Sequence, residues 1–134
     1  MTKLTLLKER DKDLMRAYRM ILKMGRFDTQ IEAMRAAALS PSKRFWITPE
    51  RLYQYFSLLK NKQSKYINHG ITTRLMYKEL VDIVKKLQDR YPDMSLYDIC
   101  CKAVMQPASQ FFISGNHANH LYYLIKKNKR NSMK

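Results

Sequence analysis

Acidic residues are scarce in this chain. Asp and Glu together number 11 against 26 Lys and Arg, a formal net charge of +15 over 134 residues. Turn formers are scarcer still, with 3 Gly and 4 Pro. All-β sandwiches and barrels need many turns, so this scarcity excludes them and favours helices. The 2 cysteines are adjacent, Cys100 and Cys101, which excludes a disulfide scaffold and fits a reducing compartment. No apolar run approaches the roughly 18 residues of a membrane span. The N-terminus meets Lys8, Glu9 and Arg10 before the roughly 7–15 apolar residues of a secretory signal can accumulate. The expectation is a soluble, cytoplasmic protein, nucleoid-associated if it binds DNA and in the virion if it belongs to a phage. What is plentiful is apolar surface. Hydrophobic residues make up 46% of the chain, enough for a packed core.

One offset organises the sequence. Shifted by 66 residues, SPSKRFWIT (40–48) falls on QPASQFFIS (106–114). Pro41, Phe45 and Ile47 meet Pro107, Phe111 and Ile113, and Trp46 meets Phe112. The register holds without a gap from Lys12 on Lys78 to Lys60 on Lys126, with 8 identities between 10–62 and 76–128. Thr29-x-x-Glu32 falls on Ser95-x-x-Asp98, in each case a hydroxyl cap with an acid three residues on. A tandem internal repeat is the expectation.

Each copy reads as three helices. The first copy predicts helices over 9–24, 30–39 and 49–60. Leu14, Ala17, Tyr18, Ile21 and Leu22 share the inward stripe of the first helix, Ile31, Met34, Ala37 and Ala38 that of the second, and Leu52, Tyr55, Phe56 and Leu59 that of the third. Gly25 suits a C-terminal stop, and Thr48-Pro49-Glu50 a helix start. The second copy repeats this over 74–90, 96–105 and 115–127, with Thr72 or Thr73 as the first cap. Short extended segments are expected at 44–47 and 110–113, where they can pair with one another. The division is a three-helix unit over 9–62, a linker over 63–73, a second unit over 74–129 and a basic tail over 130–134. The fold class expected is all-α.

Charge carries the functional reading. Residues 1–66 hold 15 basic and 6 acidic side chains, and residues 67–134 hold 11 and 5. Basic charge spread over both halves fits a polyanionic partner, above all nucleic-acid phosphate. The third helices present residue types that reach phosphates and base edges: Arg51, Gln54 and Lys60 in the first copy, and His117, Asn119, His120, Lys126 and Lys127 in the second. The preceding loop adds Lys43 and Arg44, beside a helix N-terminus suited to phosphate. Phe45, Trp46, Phe111 and Phe112 read as core rather than as base-stacking rings. Met15, Met20, Met24 and Met34 read as adaptable core.

No nucleotide-binding loop, hydrolase elbow or zinc-protease motif is present, and adjacent cysteines do not fit a zinc site. No enzyme activity, metal or cofactor is expected. The order helix, helix, connector, helix resembles helix-turn-helix modules in outline, although Ser40 to Ile47 exceeds their roughly 3–4-residue turn. The stretch S-P-x-x-R-F-W-I-T followed by a helix resembles a set of small basic uncharacterised proteins of gut Bacteroidales and their phages or mobile elements, from Arg10 onward. That resemblance implies a place in a phage or mobile element and brings no activity with it. The function expected is non-enzymatic binding of double-stranded DNA through both third helices. The alternatives are a phage or mobile-element component that meets a protein partner through its basic surface, and an RNA-binding protein.

Overall fold

A computed structural model describes residues 2–60 and 70–132, with side chains as far as Asn128. Six helices follow in order: α1 (Lys3–Met24), α2 (Gln30–Ala38), α3 (Pro49–Lys60), α4 (Ile71–Arg90), α5 (Leu96–Val104) and α6 (Gly115–Ser132). The all-α expectation holds. No strand forms among the described residues, where the β-type pairing is an isolated bridge between Ser42 and Ala108. These two residues lie upstream of the expected extended segments, and each donates its N–H to the other's carbonyl, at 3.0 and 3.1 Å. The segment 44–47 instead sends the Phe45 N–H to the Val104 carbonyl, and 110–113 sends the Phe111 N–H to that of Ala38.

Capping explains where the helices begin. Thr29 Oγ1 accepts from the Glu32 N–H and Ser95 Oγ from that of Asp98, each at 3.2 Å. Thr48 Oγ1 accepts from Arg51 N–H and Ser114 Oγ from His117 N–H. Each bond satisfies one of the orphan donors of a first turn. These four caps form two pairs 66 residues apart, and α2 and α5 have the same length at the same offset. Gly25 ends α1 in the left-handed region, φ 64°, which only glycine occupies without penalty.

Some boundaries differ from expectation. α1 begins at Lys3 rather than 9, because Thr2 Oγ1 accepts from the Thr5 N–H and starts the helix early. α4 begins at Ile71 behind Gly70, so Thr72 and Thr73 lie inside the helix and do not cap it. Of the expected linker, residues 63–69 lie outside the described residues and 71–73 open α4. α6 runs on to Ser132, into the expected tail.

The helices group in a way that chain order does not. One compact unit, the split unit, comprises Met1–Ser42 with Ala108–Lys134, and the other, the inner unit, is Lys43–Pro107. In the split unit α2 packs on α1 and on α6. In the inner unit α5 packs on α4 and on α3. The unit that holds α1 and α2 is therefore completed by α6, and the one that holds α4 and α5 by α3.

Several positions 66 residues apart are buried in the two cores. Leu14, Met34, Ala37 and Ala38 are buried in the split unit, as are Leu80, Cys100, Ala103 and Val104 in the inner one. Phe45 and Leu52 are buried in the inner unit, and Phe111, Phe112 and Ala118 in the split unit. Phe112 holds φ 57°, unusual for a residue with a side chain, and its ring is buried. Several apolar residues expected inside face solvent: Leu22, Ile31 and Leu59, together with Met20 and Met24. The reason is the small size of the units. Three helices cover only part of each helix circumference, so residues at the edge or at the open end of an apolar stripe stay wet.

Candidate nucleic-acid interface

Burial of Ala118 and Leu121 fixes which side of α6 faces inward. At helical spacing the opposite side presents His120, Tyr123, Leu124 and Lys127, with Asn116 and His117 at its N-terminal edge, all exposed. No carboxylate interrupts this face, because residues 108–134 contain no Asp or Glu. The five acids of the split unit lie on or beside the other two helices: Glu9, Asp11, Asp13, Asp28 and Glu32. A polyanion approaching α6 therefore meets cations and hydrogen-bonding groups before it meets a carboxylate.

The expected contact residues do not all belong to this face. Asn119 turns toward α2, where its Oδ1 accepts from Gln30 Nε2 at 2.7 Å. Asn116 Oδ1 accepts from Arg35 Nη2 at 3.3 Å. Lys126 lies on the flank toward α1, with its ammonium 5.6 Å from the centroid of the Tyr122 ring. His117 is held below the usual histidine range by partial burial, then by Arg10 and His120, with Asp11 opposing. The imidazole at position 117 is thus mainly neutral near pH 7 and charges on acidification.

In the inner unit α3 is dressed differently. Gln54 and Lys60 are exposed. Arg51, also exposed, lies beside the Tyr77 hydroxyl and opposes the upward push of burial on that phenol. Glu50 stands on the first turn, and its Oε1 accepts from the Tyr97 hydroxyl at 2.7 Å. That bond holds Glu50 below the usual glutamate range and pushes Tyr97 up to about 12. Lys43 is exposed. Arg44 is half-buried, stacks over Trp46 at 5.4 Å and donates to the carbonyls of Phe45 and Ile47. Much of the Arg44 fork is thereby spent on bracing its own loop.

The sequence expectation missed α1. Nine residues of α1 between Thr5 and Leu22 line one wall of a groove of about 620 Å³, and six of them, Thr5, Lys8, Lys12, Met15, Arg19 and Leu22, recur at alternating spacings of three and four. Ile125, Lys126 and Asn128 of α6 form the other wall. The spacing is legible in the sequence, but a helix begun at residue 9 loses the first two positions.

Cys100 is buried and pushed up to about 11 by that burial, so it stays a thiol. Among the described residues no three His, Cys, Asp or Glu group together to hold a metal ion, and no helix is long and apolar enough to cross a membrane. No protein-family model matches the chain, and no curated protein or solved structure is significantly similar to it.

Proposed function

We propose that this chain is a non-enzymatic nucleic-acid-binding protein that engages duplex DNA through the exposed face of α6, with α3 as a second contact. The observation that carries this is the acid-free face of α6 on a chain of net charge +15. His117, His120 and Lys127 contact phosphates, and Gln54 on α3 is the candidate for a base edge. Asn119, engaged by Gln30, serves to seat α6 on α2. In helix-turn-helix terms α6 takes the place of the recognition helix and α2 that of its partner, joined by packing rather than by a short turn. The same reading treats 10–62 and 76–128 as two copies of one three-helix sequence. The paired caps and the paired Phe45–Val104 and Phe111–Ala38 hydrogen bonds support it.

The test is fluorescence anisotropy with labelled duplex DNA, single-stranded DNA and hairpin RNA, across about 50–300 mM salt. Micromolar or tighter duplex binding with a steep log–log salt slope is expected. His120→Ala with Lys127→Ala should weaken it and lower the slope by about 1. Preference for the hairpin would replace DNA with RNA as the ligand. Absence of binding at the lowest salt would remove the proposal.

A further inference from the structure

The groove between α1 and α6 lies off the exposed α6 face, and its lining joins two core residues, Met15 and Tyr18, to a set of surface cations. We propose that it docks an acidic amphipathic helix of a protein partner. Its α1 wall runs from Thr5 to Leu22, about 25 Å at 1.5 Å per residue. Six of its nine α1 positions, 5, 8, 12, 15, 19 and 22, alternate spacings of three and four, the seam along which one helix packs beside another. Met15 and Tyr18 are nearly covered, whereas Leu22 is 50% exposed and leaves apolar surface for a ligand to bury.

Charge complementarity identifies the occupant. Four cations line the groove, Lys8, Lys12, Arg19 and Lys126, against two carboxylates. Those two are already engaged, Glu9 by Lys12 at 3.6 Å and Asp11 by Arg10 at 3.1 Å. A partner helix with apolar residues toward Met15, Leu22 and Ile125, flanked by Glu or Asp toward Lys8 and Arg19, satisfies both features. A nucleic-acid strand suits the groove less well. Its apolar lining is Met15, Leu22, Ile125 and Tyr18, and Tyr18 is 7% exposed with its ring edge-on to Tyr122, so no open ring face awaits a base. Methionine at the centre of the seam adapts its shape to the apolar residue it meets.

The experiment uses the full chain and a fluorescein-labelled peptide of about 18 residues, matched to the groove length, with leucines at the seam positions and glutamates flanking them. Micromolar binding is expected. It should weaken at least tenfold in Lys8→Glu/Arg19→Glu and in Leu22→Glu, with the helical circular dichroism of the protein unchanged. A peptide carrying lysines in place of glutamates should prefer the charge-reversed protein to the native one. No binding, equal binding of a scrambled peptide of the same composition, or normal binding by the charge-reversed protein would each overturn the proposal. Saturating duplex DNA is a separate arm. The peptide should bind in its presence, and one-for-one displacement by DNA would make the groove part of the nucleic-acid interface instead. A protein that takes the peptide and no DNA would retain this groove site and lose only the function proposed for α6.

Discussion

The split unit and the inner unit each hold three helices and differ in what seats α6 in one and α3 in the other. On α2, α6 is seated by polar pairs, Gln30 to Asn119 and Arg35 to Asn116, around the small Ala118. On α5 and α4, α3 is seated by the larger Leu52 and by rings. Tyr55 stacks on Tyr77 at 4.0 Å, and Tyr53 meets Tyr97 edge-on. The chain leaves the split unit at Ser42, where Asp13, buried, accepts from Arg16 at 2.6 Å and from the Ser42 hydroxyl at 3.4 Å. The position corresponding to Ser42 is Ala108, which has no hydroxyl to offer. Rings meet in both units, since Tyr122 of α6 lies edge-on to Tyr18 at 5.3 Å, so the difference lies in the seats on α2 and α5: polar around Ala118 in one, aromatic around Leu52 in the other.

Cutting the chain gives the largest effect by which to break this comparison. A protease site placed between Lys60 and Gly70 separates the first three helices from the last three. Each unit draws helices from both sides of the cut, so the two pieces should stay together on size exclusion and keep their helical circular dichroism. Separation of the pieces in native buffer would mean that helices pack in chain order after all.

Core truncation comes next. Leu52→Ala should cost about 2–5 kcal/mol, because the removed side chain is fully buried and its site collapses only in part. Trp46, the sole tryptophan, lies in the inner unit, so its fluorescence should report the loss in a urea titration. Ala118→Leu, the reciprocal change, should cost about 1–3 kcal/mol by overpacking. A neutral outcome for Ala118→Leu would mean that the seat of α6 has room to spare.

Asp13→Ala should destabilise the split unit by about 1–3 kcal/mol, since it strips Arg16 and Ser42 of a shared acceptor. Helical circular dichroism should register this change, with the Trp46 transition moving less.

The smallest effect expected is that of Tyr97→Phe. Glu50 is held low in the folded state, so its contribution is present above the ordinary glutamate range and is lost as pH falls through the lowered folded value. Tyr97 is pushed up to about 12 from 10.0, so its contribution is present below pH 10 and is lost as pH rises toward 12. Removing the hydroxyl should flatten both limbs of the stability–pH curve and return Glu50 toward its usual range, as carboxylate NMR titration would show. His117, also held low, contributes above its ordinary range and loses that contribution on acidification. Acid should therefore weaken the split unit while adding positive charge to α6.

Residues near one another in sequence were the legible part. Caps at Thr29, Thr48, Ser95 and Ser114, the stop at Gly25 and the break after Arg90 can all be read directly, because a cap is decided within about one turn of helix. The burial of Phe45, Phe111 and Phe112 was legible too, from their apolar neighbours. Of the candidate contacts, Gln54, Lys60, His117, His120 and Lys127 are exposed on the third helices, whereas Asn119 faces α2 and Arg44 braces its own loop. Periodicity names residues that share a face. It does not say how wide a strip the neighbours cover, which is why Ile31 and Leu59 are wet and Asn119 is half-buried.

By itself, then, the sequence determined that six helices form and where most of their caps lie, which stripe of each is apolar, and that the chain is strongly basic, with Glu50 the one acid on α3 and none on α6. These follow from hydrogen bonds and side-chain spacings within a few residues of one another. Only the tertiary structure decided that α6 closes on α1 and α2 while α3 closes on α4 and α5. The two third helices carry similar stripes at one offset, and the two seats present similar rows of small buried residues, so local pattern is degenerate between serial and exchanged packing. Non-local contacts resolve the choice: Phe111 N–H on the Ala38 carbonyl, Phe45 N–H on that of Val104, and the side chains that fill each seat.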